Sequence, residues 1–123
     1  MKAIVNARII KDNSILEGYT VLFEEKILRL MEGNALKGME LEEVFDAAGR
    51  YLSPGFIDVH IHGCLGNDTM DDNESSLRNI SKSIAATGVT AILPTTMTMD
   101  FPMIERSINR IRTLMDDAPG ASI

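Results

Sequence analysis

The stretch Pro54-Gly55-Phe56-Ile57-Asp58-Val59-His60-Ile61-His62-Gly63 contains both histidines of the chain, set in a run of strand-forming residues. Side chains alternate between the two faces of a strand, so Phe56, Asp58, His60 and His62 share one face and Ile57, Val59 and Ile61 the other. The alternation predicts an apolar face packed beneath covering helices and an opposite face carrying two imidazoles and a carboxylate. Neutral imidazole is the commonest metal ligand, and two on one strand face can hold a single divalent ion. His60 and His62 are therefore the candidate metal ligands.

Downstream of the pair the pattern becomes loop, helix, strand, helix. Asp71-Asp72-Asn73 offers an N-cap, Leu77, Ile80 and Ile84 fall at helical spacing, and Gly88 stands past the helix end. Residues 89–93, VTAIL, read as a buried strand stopped by Pro94. Asp100 is the expected cap of a second helix with Pro102 in its first turn, and Ile104, Ile108, Ile111 and Met115 form its apolar stripe. Asp116 and Asp117 stand unfavourably against the dipole at its C-terminus. Strand–helix–strand–helix with short links is the signature of a parallel α/β sheet. In a βα barrel the active site lies at the C-terminal ends of the strands, where His60 and His62 fall.

Upstream, residues 2–10, 15–24 and 26–32 read as β runs in an antiparallel meander, with turns at Asp12-Asn13-Ser14 and Glu24-Glu25-Lys26. Gly33-Asn34 and Gly38 interrupt the chain, and Glu43-Val44-Phe45-Asp46 is a further short strand. Residues 1–50 are thus expected to form part of a small β domain and residues 51–123 two βα units.

Composition narrows the functional classes. A net charge of −6 over 123 residues leaves no basic stripe for phosphates, which argues against a nucleic-acid partner. No apolar run approaches the roughly 18 residues of a spanning helix, and the N-terminus lacks the apolar core of a signal peptide. The single cysteine, Cys64, cannot form an internal disulfide, so a reducing cytoplasm is the expected compartment. The eight methionines read as adaptable core filler.

Gly63-Cys64-Leu65-Gly66-Asn67-Asp68 forms a loop over the strand end. Gly63, Cys64 and Thr95 are the candidate substrate contacts. Cys64 reads either as a ligand or nucleophile or as a spectator thiol, and Thr95 and Thr96 either as contacts or as ordinary loop residues. Asp68, Asp71 and Asp72 read as capping and solvated charges.

The run from Asp46-Ala47-Ala48-Gly49 through His60-Ile61-His62-Gly63 resembles the junction of amidohydrolase-superfamily enzymes, where a small β domain leads into a metal-dependent (β/α)₈ barrel whose first strand ends in His-x-His. Gly66-x-Asp68-x-Met70-Asp71 and Thr87-Gly88-Val89-Thr90-x-x-Leu93-Pro94-Thr95 resemble the N-acetylglucosamine-6-phosphate deacetylase family, whereas dihydroorotases follow His-x-His with x-Arg. The resemblance implies hydrolysis of the N-acetyl group of an amino-sugar phosphate. A divalent metal, zinc or iron, would activate water and polarise the amide carbonyl, while an aspartate passes the proton to the leaving amine.

By the same resemblance His60 and His62 match ligands of one metal position, and Asp58 supports their strand. The family's metal-binding glutamate, its two further histidines and its catalytic aspartate have no counterparts here. A complete barrel needs about 250 residues. The expectation is an N-terminal portion of an enzyme, truncated, inactive alone, with no catalytic residue of its own and prone to form homo-oligomers. Two other readings stay open: a different amidohydrolase acting on a cyclic amide or deaminating a base, and a non-catalytic module that binds a metal or a partner chain.

Overall fold

The computed structural model describes residues 1–33, 36 and 38–123. The chain divides into two compact units, Met1–Pro54 and Gly55–Ile123. The first contains β1 (Lys2–Val5), β2 (Arg8–Lys11), β3 (Ser14–Leu16), β4 (Tyr19–Phe23), β5 (Ile27–Glu32), β6 (Glu43–Asp46) and β7 (Tyr51–Leu52). They form a four-stranded sheet in the order β5-β4-β1-β6 and a three-stranded sheet in the order β3-β2-β7.

The antiparallel pairings β1–β4, β4–β5 and β2–β3 carry the expected meander. Two parallel pairings, β1–β6 and β2–β7, were not visible in the sequence pattern. The expected runs 2–10 and 15–24 are also each broken in two. The breaks fall at Asn6 (φ 55°) and Gly18 (φ 76°), and the third ribbon turns at Ala48 (φ 50°) and Gly49 (φ 76°). A left-handed φ re-aims the chain, so each ribbon starts in one sheet and finishes in the other.

Hydrogen bonds at this corner replace those lost from the ladders, as buried backbone groups require. Ala47 N donates to Val5 O (2.9 Å), Gly49 N to Asn6 O (2.8 Å) and Arg8 N to Arg50 O (2.9 Å). Asp46 Oδ1 accepts from Ala48 N (2.8 Å) and Asn6 Nδ2 (3.0 Å). Those bonds, the Ala48 amide first, hold the Asp46 carboxyl below its ordinary 3.8. The turn at Asp12-Asn13-Ser14 forms with Asp12 at φ 51°, and Glu24 N closes the next turn onto Lys26 O (3.0 Å). Gly33 also adopts a left-handed φ, while Asn34 of the expected Gly33-Asn34 break lies outside the described residues.

The second unit contains β8 (Phe56–Ile61), β9 (Gly63–Cys64), β10 (Asn67–Asp68), α1 (Glu74–Ala85), β11 (Val89–Pro94) and α2 (Phe101–Leu114). β8 and β11 pair in parallel. On the far edge of β11, Ala91 forms a parallel bridge with Ser122, with Ile92 N donating to Ser122 O (2.8 Å) and Ser122 N to Thr90 O (2.8 Å). Three parallel segments therefore lie side by side in chain order. Parallel segments need crossover connections, which α1 and α2 supply.

Asn73 caps α1 by accepting from Ser76 N (2.9 Å), and Gly88 (φ 89°) follows the helix end as expected. Leu77 and Ile80 of α1 pack with Ile61, Ile92, Leu114 and Ala121 in one buried cluster. Each such large aliphatic contributes about 1.5–3 kcal/mol by leaving water. Pro102 lies in the first turn of α2, but Asp100 makes no side-chain cap bond. Its carbonyl instead accepts from Met103 N and Ile104 N. The buried side of α2 is carried by Ser107 and Leu114, with Ile111 at its margin, while Ile108 and Met115 are exposed. The expected stripe is thus covered in part: Ile104 and Ile111 are half-buried, Ile111 against the core cluster, while Ile108 and Met115 face solvent. Asp117 finds a partner in Arg78 despite its place beyond the helix end.

Two further expectations are corrected. Ile61 is 7% exposed and packs under the helices, but Ile57 and Val59 remain 65% and 67% exposed. The pairing with β11 is irregular in two places: Val89 and Ala91 pair with Phe56 and Ile57, and Ile92 and Pro94 with Asp58 and Ile61. Such an irregularity breaks the alternation of faces. Methionine, expected as core filler, is missing from the buried hydrophobic set of the described residues, and Met97, Met99 and Met115 are exposed. Branched aliphatics and alanine occupy the close-packed positions instead.

Replacing Ile80 by Ala is expected to lower the unfolding free energy by about 2–5 kcal/mol, measured by urea titration. Met115→Ala should change it by no more than about 0.5 kcal/mol. The depressed Asp46 carboxyl contributes stability that is fully present above 3.8 and is lost as pH falls through its lower folded value. Asp46→Asn should therefore flatten the decline of the urea midpoint on acidification below 3.8, read against the unsubstituted protein.

Candidate metal centre

β8 carries His60 near its end, and His62 follows directly after its last residue, so both imidazoles lie at the end of the parallel sheet. The His60 amide lies inside the irregular step and donates to Asp58 Oδ1 (3.1 Å). Asp58 thereby stabilises the distorted backbone, a supporting role that leaves the imidazoles free. The two rings meet edge to face, 4.9 Å between centroids, with His60 Nε2 and His62 Nε2 3.2 Å apart. His60 is exposed and His62 half-buried.

The orientation of His62 is set by the next strand. His62 Nδ1 lies 2.9 Å from the Thr95 carbonyl oxygen. A carbonyl only accepts, so Nδ1 carries the proton and Nε2 presents its lone pair. The same peptide region is tied a second time, because Thr95 N donates to Ile61 O (2.7 Å). The Thr95 hydroxyl bonds back to Leu93 O (3.1 Å), so its contribution to the histidines comes from its backbone. Thr96, the neighbouring candidate, is half-buried.

The donor set fits a tetrahedral divalent ion. Two imidazole nitrogens at about 2.0–2.1 Å from a tetrahedral zinc stand roughly 3.3–3.4 Å apart. The observed 3.2 Å between the two Nε2 atoms matches that spacing, and a backbone carbonyl on the other ring nitrogen is the usual way a ligating histidine is oriented. Among the described residues no group of three or more His, Cys, Asp or Glu side chains is placed to hold a metal. Two imidazoles fall short of the three or four ligands that a zinc site takes.

The loop candidates separate in space. Gly63 and Cys64 form β9, which turns through Leu65 (φ 49°) and Gly66 (φ 76°) into β10. A Cβ on Gly63 would come within 2.0 Å of Asn67 O, so this position requires glycine. Cys64 Sγ lies 3.9 Å from Ile80 O of α1 and packs against the core, consistent with a spectator thiol. Leu65 is 84% exposed at the hairpin tip.

The carboxylates beyond it are structural. Asp71 Oδ2 accepts from Ser76 Oγ (2.6 Å) and Asp68 N (2.9 Å), and these bonds, Ser76 first and aided by Arg110, hold its carboxyl below the ordinary range. Asp68 Oδ1 accepts from Met70 N (2.8 Å), and Asp72 pairs with Arg110 (2.7 Å) and Arg106 (3.7 Å). No helix among the described residues is long and apolar enough to cross a membrane.

The solved N-acetylglucosamine-6-phosphate deacetylase from Pasteurella multocida superposes with a TM-score of 0.84 at 24% identity, covering 98% of this chain and 32% of that one. The curated N-acetylglucosamine-6-phosphate deacetylase of Bacillus subtilis is 32% identical over 105 residues, which is 85% of this chain and 26% of that protein. The chain resembles the N-terminal portion of amidohydrolase-superfamily deacetylases. A dihydroorotase of Staphylococcus epidermidis is also similar, 28% identical over 112 residues, or 91% of this chain and a quarter of that protein. The chain spans about a quarter or less of the length of the curated relatives it matches. No protein-family model matches it.

Because a side chain at position 63 would collide with the backbone oxygen of Asn67, Gly63→Ala should displace the β9–β10 hairpin. The expected readout is faster proteolytic nicking between residues 63 and 70, with urea stability reduced; wild-type cleavage kinetics would contradict it.

Proposed function

We propose that the chain is the N-terminal portion of a metal-dependent hydrolase that removes acetate from N-acetylglucosamine 6-phosphate, yielding glucosamine 6-phosphate. The observation that carries this reading is the convergence of the two Nε2 atoms, 3.2 Å apart, with the His62 ring oriented by the Thr95 carbonyl. Met1–Pro54, which takes in β7, is read as part of the small β domain, and Gly55–Ile123, rather than all of residues 51–123, as the first two βα units of a (β/α)₈ barrel. The three parallel segments in chain order support the barrel reading, and the deacetylase relatives support the substrate.

In this reading His60 and His62 would hold zinc or iron. A bound divalent ion supplies Lewis acidity for the amide carbonyl and lowers the pKa of a water molecule. The chain's own residues do the positioning. Thr95 directs the His62 ring, Asp58 holds the backbone at His60, and the Gly63–Asp68 hairpin stands beside the strand end from which both imidazoles project. Gly63, Cys64 and Thr95 contribute to the substrate's surroundings through backbone and packing. The remaining ligands and the catalytic aspartate come from sequence outside these residues. The protein acts in the cytoplasm on a soluble sugar phosphate, as a homo-oligomer, with neither nucleic acid nor membrane as partner.

A second reading, hydrolysis of a cyclic amide, is favoured by the dihydroorotase relatives. Against it, the position two residues after His62, where His-x-His-x-Arg would place an arginine, carries Cys64.

The test is acetate release from N-acetylglucosamine 6-phosphate by the purified full-length gene product, with dihydroorotate as the competing substrate. Expected is release that a chelator abolishes and zinc or iron restores. His60→Ala and His62→Ala should each weaken metal binding by more than the roughly 10–100-fold that loss of an orienting group costs. Metal-dependent turnover of dihydroorotate alone would overturn the deacetylase assignment in favour of the second reading.

A further inference from the structure

The loop between His62 and α1 is fastened to the middle of α2 by one buried hydroxyl. Ser107 is 0% exposed, and its Oγ donates to the Thr69 carbonyl (2.8 Å). Thr69 in turn donates its N–H to the carbonyl of His62 (2.6 Å). Two hydrogen bonds in series therefore connect the helix to the backbone of the more buried imidazole. A serine inside a helix ordinarily bonds a carbonyl of its own preceding turn or points to solvent. Ser107 instead reaches a residue 38 positions away.

The neighbouring contacts hold the same segment. Arg110, one turn along α2, donates to Asp72 Oδ1 (2.7 Å) and Met70 O (3.4 Å). Asn79 of α1 donates to Asn67 Oδ1 (3.0 Å). These bonds lie at exposed or half-exposed positions, and only the Ser107 bond is buried and meets the residue that touches His62. Thr69 is itself fully buried, and its side-chain oxygen has no partner among the described residues. Its backbone bonds are thus what hold it in place.

We propose that Ser107 is a positioning residue for His62: by fixing Thr69 it sets the backbone at the end of β8 and so the direction of the His62 imidazole. The inference rests on the reading of His60 and His62 as metal ligands and extends it to a side chain on a separate helix. His62 is then held at three points, through Thr69 at its own carbonyl, through Thr95 at Nδ1, and through Thr95 at the carbonyl of Ile61. Loss of the Ser107 hydroxyl leaves the Thr69 carbonyl buried without its donor. Thr69 must then turn to find another, loosening the first of the three points.

A matched control exists in the same unit. Ser81 of α1 is also 0% exposed and donates to a distant carbonyl, Ala121 O (2.8 Å), without any link to the histidines. Ser107→Ala, Ser107→Thr, Ser81→Ala and His60→Ala would be compared in the purified protein by cobalt(II) titration. Without metal, the same variants would be compared by ring ¹⁵N shifts of His62 and hydrogen exchange at the Thr69 amide.

Expected for Ser107→Ala is a fall in cobalt affinity of about tenfold, mixed His62 tautomers and faster Thr69 exchange. Ser107→Thr should restore all three, and Ser81→Ala should lose stability with cobalt affinity unchanged. Equal cobalt affinity in Ser107→Ala and Ser81→Ala, with a wild-type His62 ring signature, would overturn the proposal. Cobalt binding unaffected by His60→Ala would instead remove the metal reading, and the metal-free ring signature would still decide whether Ser107 positions His62.

Discussion

The site depends on how the end of β8 is held by the peptide of Thr95. Its N–H bonds the Ile61 carbonyl and its carbonyl receives the His62 Nδ1 proton. One residue following β11 therefore continues the parallel pairing and chooses the tautomer of a ring on the neighbouring strand. Without that acceptor, either ring nitrogen of His62 could carry the proton and the Nε2 lone pair would not be assured. The 3.2 Å separation of the two Nε2 atoms acquires chemical meaning because this backbone bond directs one of them.

Packing makes that bond durable. Ile61 and Ile92 lie in the same buried cluster as Leu77, Ile80 and Leu114, so the helices clamp the ends of both strands in one mutual register. The slip between Asp58 and Ile61 is part of this arrangement. Ile61 joins the buried cluster just past it, and Asp58 supplies an acceptor for the His60 amide in the irregular step. The exposed Ile57 and Val59 show the consequence: apolar character alone did not decide which residues the helices cover. The hairpin that follows is shaped by a different constraint, the close approach of Asn67 O to the Cα of Gly63. An apolar core, a backbone bulge and a glycine turn thus converge on a short segment.

Much of the second unit was legible because its signals are local. Asn73 before an amphipathic helix, Gly88 after it and Pro94 at a strand end each act through neighbouring backbone. The same logic failed where the deciding partner was distant in sequence. Of the stripe Ile104, Ile108, Ile111 and Met115, Ile108 and Met115 stay exposed, and α2 buries Ser107, whose hydroxyl meets the Thr69 carbonyl. In the first unit, apolar alternation ran through Asn6 and Gly18 without revealing that each ribbon changes sheets there. The parallel partners β6 and β7, which complete that corner, carry no local mark of their role.

The sequence by itself determined that two imidazoles occur one residue apart at the end of a strand that opens a βα series, since period-two geometry and turn chemistry need only neighbouring residues. It also determined the resemblance to deacetylases, carried by the His-x-His and Thr-Gly-Val-Thr segments. Tertiary structure alone decided that the two Nε2 atoms converge, that Cys64 turns to the core and that Thr95 acts through its backbone. It also decided that a serine on α2 reaches the histidine's support. Each of these depends on hydrogen bonds or packing between residues far apart in the chain, and a one-dimensional pattern does not specify which distant groups meet.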